Sequence, residues 1–189
     1  LGVYGASALS ISGNTIAVGA LGESGGGRGV NPDNLAPTAS QSGAVYVFTR
    51  TSGIWSQDAY LKSSNSRPFH GFGSSVSLDG DLLAAGAFAE DSAARGVDGD
   101  PDDTSAPFSG AAYAFSRLNG VWRQEAYLKA SNTDPLDQFG ISIAARGNRV
   151  VVGARGESSR ARGIGGDQAD NSLEASGAVY AFERTELGW

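Results

Sequence analysis

A chain of 189 residues is long enough to form one sizeable domain, and its 28 glycines favour an all-β protein with many turns over a helical one. The formal net charge of −6 argues against a nucleic-acid-binding surface, which requires clustered lysine and arginine. The sequence has no cysteine, which excludes disulfides, thiol catalysis and cysteine-bound zinc. It also has no apolar run of about 18 residues that could span a membrane.

The sequence repeats itself with a period of 67 residues. This period separates the members of three sets of landmarks: Gly19, Gly86 and Gly153; Gly43, Gly110 and Gly177; Trp55, Trp122 and Trp189. A fixed period of this size predicts a repeat architecture, in which each unit buries its apolar faces against its neighbours. We therefore divide the chain into repeats at residues 1–68, 69–135 and 136–189, all within one domain.

The middle repeat begins with a predicted β-hairpin. Alternating polarity from Phe72 to Leu78 predicts a first strand, and Asp79-Gly80 is typical of a tight turn. Residues 82–85 then form an unbroken apolar run, which predicts a second strand covered on both faces. A loop of about twenty residues, rich in Gly, Asp, Ser and Pro, follows this strand in each repeat.

Two more strands complete the predicted repeat. In the middle copy the third strand runs from Gly110 to Phe115 and the fourth from Gln124 to Lys129. Four antiparallel strands in 67 residues describe one blade of a β-propeller. The third repeat ends before its fourth strand, so we expect two complete blades and a third that lacks its outer strand. Because propellers close with about 4 to 8 blades, we expect either a longer chain or a homo-oligomer.

Short motifs at the strand ends match a known family. They are Phe72-Gly73, Phe139-Gly140 and the variant Tyr4-Gly5, each followed by Gly-Ala at residues 86, 153 and 19 and then by a Gly-Ala-x-Tyr-x-Phe strand. This pattern resembles the FG-GAP repeats of integrin-alpha-like β-propellers, in the long-loop form of bacterial surface and secreted proteins. The resemblance implies a non-catalytic module for adhesion or protein interaction, outside the cell or on its surface.

Two features depart from the family pattern. The proline of the family motif is replaced by Leu21, Phe88 and Arg155. In addition, only a short turn stands between the first and second strands, where the family carries a calcium loop of alternating aspartates. Calcium binding therefore cannot be transferred to that position.

The long loops retain three charged positions from one repeat to the next. These are Glu23, Glu90 and Glu157; Arg28, Arg95 and Arg162; and Asp33, Asp100 and Asp167. One interpretation is an ion-paired clasp that holds each loop on its blade, because arginine makes bidentate contacts to carboxylates. The other is a calcium site, because oxygen ligands recur at short spacing as calcium prefers. Its candidate ligands are Asp98, Asp100, Asp102 and Asp103 in the second loop, with Asp167 and Asp170 in the third.

The aromatic residues near the fourth strand allow two interpretations. Trp55 and Trp122 could stack on sugar rings of a glycan, or they could pack at the same structural position in each blade. One face of the fourth strand carries a tyrosine and, two residues later, a lysine: Tyr60 and Lys62 in the first repeat, Tyr127 and Lys129 in the second. We expect these side chains to pack on the outer strand and remain half-exposed.

We do not expect an enzyme. The single histidine, His70, lies in a connector between repeats, and Asp137 occupies the matching position. The sequence has no nucleophile elbow, phosphate loop or histidine cluster. Three functions remain: an adhesion or protein-interaction module with a protein partner on a cell surface, a lectin that binds glycans between blades, and a self-assembling structural subunit.

Overall fold

The computed structural model describes residues 8–33 and 35–189, which form eleven strands and no helix. The first repeat contains β1 Ala8–Ser12, β2 Thr15–Ala20, β3 Ala44–Thr51 and β4 Ile54–Leu61. The second contains β5 Ser75–Asp79, β6 Leu82–Ala87, β7 Ala111–Leu118 and β8 Val121–Leu128. The third contains β9 Phe139–Arg146, β10 Arg149–Ala154 and β11 Ala178–Glu183. The Tyr4-Gly5 motif lies outside the described residues.

The strands form three antiparallel sheets in which neighbours in the chain are also neighbours in the sheet. The first two sheets have four strands each, and the third has three, with β11 at its edge. This arrangement confirms the predicted all-β fold of propeller blades. In the described residues the sheets form an open series, in which the first packs on the second and the second on the third. No helix long and apolar enough to cross a membrane occurs in residues 8–33 and 35–189.

Each sheet begins with the tight hairpin that the sequence predicts. Its two-residue loop starts with a glycine in the left-handed region, at φ +55° for Gly13, +58° for Gly80 and +61° for Gly147. Glycine at the first central position is typical of a type II′ turn, whose twist matches that of the two strands. The predicted first strand of the middle repeat begins three residues later than expected, because Phe72 forms a parallel bridge to Gly43 of the preceding repeat.

The hydrophobic core lies between the sheets. One cluster joins Val45, Val47 and Leu61 of the first sheet to Phe72, Val76, Leu83, Tyr113 and Phe115 of the second repeat. The other cluster joins Ala112, Ala114 and Leu128 of the second sheet to Phe139, Val150 and Val152 of the third repeat. Every residue of β6 is buried, as the apolar run predicts, because this strand packs against a neighbour on each face.

The glycines of the repeated motifs allow the sheets to approach each other closely. A Cβ atom at Gly86 would lie 2.0 Å from the carbonyl oxygen of Gly140, and one at Gly110 would lie 2.1 Å from that of Phe139. No side chain fits at these distances. The recurrence of glycine at these positions therefore has a packing explanation.

Candidate functional site: the long loops and the joints between sheets

The long loop of the second repeat is anchored to its sheet by a buried ion pair. The Lys129 Nζ atom lies 2.8 Å from Glu90 Oε2, and both side chains are almost fully buried, with 0% and 1% of their surface exposed. The same ammonium donates to Ser109 Oγ at 2.8 Å, and the Tyr127 hydroxyl donates to Glu90 Oε1 at 2.9 Å. Burial lowers the pKa of Lys129, and the Glu90 carboxylate opposes that shift.

The first repeat has the same anchor in a more open form. Lys62 Nζ lies 2.7 Å from Glu23 Oε2 and 2.6 Å from Ser42 Oγ. The Glu23 side chain keeps 19% of its surface exposed, compared with 1% for Glu90. Both lysines and Tyr60 and Tyr127 are buried, so the expectation of half-exposed packing was wrong. These side chains are buried because each lysine ammonium contacts the glutamate carboxylate of the loop and not solvent.

In the second and third repeats, a connector asparagine from the preceding repeat bonds the loop glutamate. Asn65 donates from Nδ2 to Glu90 Oε1 at 2.8 Å, and its Oδ1 accepts from the Tyr113 hydroxyl at 2.6 Å. Asn132 makes the equivalent bond to Glu157 Oε1 at 2.9 Å and accepts from the Tyr180 hydroxyl. Each asparagine also donates to a carbonyl oxygen of the next long loop, at 3.0 Å. In these two repeats the loop glutamate therefore also contacts the repeat before it, and we call this contact between consecutive repeats the joint.

A carboxylate from the fourth strand forms a second contact across each joint. Asp58 Oδ2 accepts from Trp122 Nε1 at 3.0 Å and from Arg117 Nη1 at 3.4 Å. Arg117 also lies over the Trp122 ring, with 5.2 Å from its Cζ to the ring centroid.

The next joint repeats this arrangement. Glu125 Oε2 accepts from Arg184 Nη1 at 2.8 Å and from Trp189 Nε1 at 3.3 Å. Burial alone would raise the pKa of Glu125. Hydrogen bonds from Ser116, Arg184 and Trp189 together lower it by more, so the pKa lies below its ordinary value.

A β-bulge directs these carboxylates toward the next sheet. The pairing of β3 with β4 shifts register between Val47 and Phe48, which pair with Ala59 and Gln57. Asp58 of β4 is therefore an extra residue that pairs with no residue of β3. The pairing of β7 with β8 shifts at the equivalent place, and the skipped residue is Glu125. An extra residue in one strand bends it locally and re-aims its side chain. The sequence pattern gave no indication of this bulge.

The three arginines assigned to the clasp lie on the surface. Arg28, Arg95 and Arg162 are exposed, and none of them forms an ion pair within the described residues. The carboxylates of Glu23 and Glu90 are instead paired with lysines of the fourth strand. Glu157 is buried and accepts from the backbone and hydroxyl of Ser159, each at 3.1 Å. Asp33 is exposed and forms no ion pair with the rest of the described chain.

Five of the six aspartates assigned to calcium accept a backbone hydrogen bond, and the sixth, Asp102, forms an ion pair with Arg67, whose Nη2 lies 3.2 Å from Asp102 Oδ1. Asp98 Oδ1 accepts from the Tyr127 backbone N–H at 2.8 Å. The remaining contacts are those of Asp100 to Asp102 N, Asp103 to Ser105 N, Asp167 to Ala169 N and Asp170 to Ser172 N, at 2.9 to 3.0 Å. Hydrogen bonds from Ser105 and Ser172 lower the pKa of Asp103 and Asp170. Within residues 8–33 and 35–189, no three His, Asp or Glu side chains are grouped to hold a metal ion.

The two tryptophans assigned to glycan stacking have different environments. Trp122 is only 4% exposed, because it packs between the first and second sheets. Trp55, at the equivalent position of the first repeat, is 41% exposed. The structure therefore supports the packing interpretation for Trp122 and leaves the ring of Trp55 accessible.

Sequence reasoning placed the two lysines on the fourth strand but missed that they pair with the loop glutamates. It also missed the asparagines and the bulged carboxylates. A signal was present, because the segments 58–65 and 125–132 read DAYLKSSN and EAYLKASN. Such internal similarity could have indicated a shared polar contact.

One comparison with known proteins identifies a family. A family model described as FG-GAP repeat matches residues 55–115 and 122–182. Each match begins at a tryptophan of the fourth strand and ends at a phenylalanine of the next third strand, so it spans one complete joint. No curated protein matches the chain.

Proposed function

Because the chain belongs to the FG-GAP repeat family, whose repeats form propeller-like interaction modules, we propose that it is a non-catalytic module that recognises a protein partner. FG-GAP repeats typically occur in extracellular or cell-surface proteins, and we place this chain there. The proposed binding surface is the face formed by the long loops and the connectors, because the strands are consumed in packing and the loops are free to vary.

Exposed apolar residues in strained backbone conformations support this surface. Phe69, Phe108 and Leu136 are 61%, 45% and 62% exposed, although they are large and apolar. All three adopt the left-handed region, at φ +67°, +57° and +70°. A non-glycine residue in this region costs on the order of 1 kcal/mol, and such residues cluster at functional sites. This is the observation that carries the proposal.

These residues lie on one face because the loop ends and connectors are hydrogen-bonded together. The Leu136 N–H donates to Pro107 O at 2.9 Å, and the Gln138 N–H donates to Phe108 O at 3.0 Å. The equivalent bond in the first joint runs from Phe69 N–H to Ser40 O at 2.8 Å. Phe108 and Leu136 therefore form a neighbouring pair. Exposed aromatic and aliphatic anchors of this kind are typical of protein interfaces.

The buried ion pairs give this face its rigidity. Because Lys129 and Glu90 hold the base of the second loop, its outer residues are positioned before a partner arrives. A preorganised surface loses less conformational entropy on binding. The loop thus combines a fixed base with an exposed apolar edge.

The test is binding of the purified chain to arrays of extracellular proteins and of glycans. We expect a protein ligand whose affinity falls at least about tenfold in the variant Phe108→Ser/Leu136→Ser, since an apolar anchor is worth more than about 1 kcal/mol. The matched control is Leu118→Ser/Val121→Ser, whose residues are 57% and 59% exposed at the β7–β8 turn. Equal losses in both variants, or binding to glycans alone, would contradict the proposal.

A further inference from the structure

A buried histidine faces a loop carboxylate at the first joint. His70 is 2% exposed, and neither of its ring nitrogens forms a hydrogen bond within residues 8–33 and 35–189. Its Nε2 atom lies 3.9 Å from Asp91 Oδ2, and the Asp91 side chain is 35% exposed. This distance is too long for a hydrogen bond, but the two groups attract each other once the ring gains a proton. A buried imidazole without a hydrogen bond is unusual, and packing alone does not account for it.

The same carboxylate holds the end of the second long loop. Asp91 Oδ1 accepts from the Phe108 backbone N–H at 3.0 Å, and the Asp91 carbonyl oxygen accepts from the Ala106 N–H at 2.9 Å. Phe108 adopts the left-handed region, at φ +57°, and its own carbonyl oxygen accepts from the Gln138 N–H of the next connector. Asp91 therefore links His70 of the first connector to the strained end of the loop.

The first and third repeats have a serine in place of Asp91. The hydroxyls of Ser24 and Ser158 accept from the backbone N–H of the matching loop-end residue, at 3.1 and 3.3 Å. A neutral hydroxyl is therefore sufficient to hold the end of a loop. Of the three repeats, only the second has a carboxylate at this position, and its loop is the one that faces a histidine. The third repeat combines Ser158 with Asp137 at the position of His70.

The other charged groups around His70 already have partners. Within the part of the chain that the structure describes, the charged groups that face the ring are Arg67 of its own connector, Glu90 and Asp91 of the second loop, and Lys129 of β8. Glu90 and Lys129 form the buried ion pair, and Arg67 pairs with another carboxylate of the loop. Asp91 is therefore the carboxylate that can receive a protonated ring. Burial lowers the pKa of His70, and the two loop carboxylates oppose that shift, so the ring gains its proton below pH 6.5.

We propose that His70 and Asp91 form a pH-sensitive switch that controls the end of the second loop. When the ring is protonated, Nε2 donates to Asp91 Oδ2. The carboxylate moves toward the ring, because it is partly exposed whereas the ring is enclosed, and its bond to the Phe108 N–H breaks. The strained Phe108 backbone is then released, and acidification loosens the exposed apolar pair Phe108 and Leu136. The effect on partner binding rests on the proposed function, whereas the switch itself does not.

The test follows the full chain by NMR as pH is lowered through the range in which it stays folded. We expect the backbone amide of Phe108 to shift with the same midpoint as the His70 ring. Its hydrogen exchange, corrected for the intrinsic effect of pH, should become about fivefold faster or more, as expected for the loss of one hydrogen bond. The internal control is the Ala175 amide, which Ser158 holds. We expect no shift of this amide with the His70 midpoint.

Matched variants identify the groups responsible. Asp91→Ser introduces the residue of the other two repeats, so it should keep the Phe108 amide protected and abolish its response while His70 still titrates. His70→Asn should also abolish the response, and Asp137→Asn should leave it unchanged.

Three results would overturn the switch. They are a His70 ring that stays neutral in the folded chain, a Phe108 amide that does not follow the ring, and a response that survives in Asp91→Ser or in His70→Asn. A chain that binds no protein on the arrays would contradict the proposed function alone, because the NMR measurement needs no partner.

Discussion

The carboxamide of Asn65, in the connector after the first sheet, lies 2.6 Å from the hydroxyl of Tyr113 in the second sheet, and neither residue is exposed to solvent. These residues are separated by 48 positions and belong to different repeats. The same carboxamide bonds Glu90, which also holds the base of the second long loop. Packing between repeats and anchoring of the loop therefore depend on one polar network.

Replacing Lys129 should destabilise the protein more than replacing Lys62. Lys129→Met leaves the Glu90 carboxylate buried and unpaired, and we expect a loss of about 3–5 kcal/mol in the free energy of unfolding. Lys62→Met should lose less, because the Glu23 side chain keeps 19% of its surface in contact with solvent. Urea denaturation of both variants measures the difference.

A second substitution checks the cause of that loss. The double variant Lys129→Met/Glu90→Leu removes both charges and should recover most of the stability, because no unpaired carboxylate remains. Equal losses at the two lysines, or no recovery in the double variant, would disprove the role assigned to Glu90.

Alanine at Gly110 should cost more stability than alanine at Gly177. Both glycines adopt positive φ, at +81° and +76°, so both variants incur backbone strain of about 1 kcal/mol. Only at Gly110 does a Cβ meet the backbone of the next repeat, at 2.1 Å from Phe139 O, whereas at Gly177 the nearest atom is 3.6 Å away. We expect an additional loss of about 1–3 kcal/mol for Gly110→Ala. Thermal unfolding that gives equal midpoints for the two variants would contradict this packing explanation.

Asp137 should make the protein less stable as pH rises from about 4 to 6. Burial, with smaller contributions from Asp134 and Glu157, raises the pKa of Asp137 from 3.8 to about 6. Between these values the folded state binds the proton more strongly than the unfolded state, so stability falls with rising pH. Asp137→Asn should therefore stabilise the protein at pH 7 by about 1–3 kcal/mol and leave it unchanged below pH 4. Denaturation at the two pH values checks both statements, and a gain that is equal at both would contradict them.

His70 occupies the same position of the preceding connector and should give the opposite pH dependence. Burial lowers its pKa below 6.5, so the unfolded state binds the proton more strongly and stability falls as pH decreases below 6.5. His70→Asn should remove this loss. Comparing how the free energy of unfolding changes with pH in His70→Asn and in Asp137→Asn shows which residue causes each change.

Removal of calcium should leave the second loop folded. The Asp98, Asp100 and Asp103 carboxylates accept hydrogen bonds from backbone N–H groups, so the loop holds its shape without a cation. We expect the same unfolding midpoint with excess calcium and with excess chelator. The calcium site proposed from the sequence predicts instead a higher midpoint with calcium, which Asp100→Asn/Asp102→Asn would abolish.

The sequence predicted the repeats and the strands well because both depend on short-range patterns. Apolar alternation and Gly-containing turns determine each hairpin locally, and the period of 67 residues is visible in the landmarks alone. The anchor was predicted only in part: the loop glutamates were identified, but arginine was chosen as their partner. Lys129 and Glu90 are 39 residues apart, and their contact depends on the path of the loop, which no local pattern encodes.

The joints could not be predicted for a related reason. Asp58 reaches the next sheet only because a bulge at Val47 and Phe48 re-aims it, and pattern analysis assumes regular strand pairing. Trp122 illustrates the consequence. It is on a strand with exposed neighbours, yet it is buried by the preceding repeat.

The contact between Asn65 and Tyr113 provides the most direct test of the central claim, which is that a buried polar contact holds consecutive repeats together. The measurement is a double-mutant cycle with Asn65→Ala, Tyr113→Phe and the combination, each followed by urea denaturation. We predict a coupling free energy of about 1 kcal/mol, because the two single variants remove the same hydrogen bond. Strictly additive losses would show that the two side chains act independently and would contradict the account.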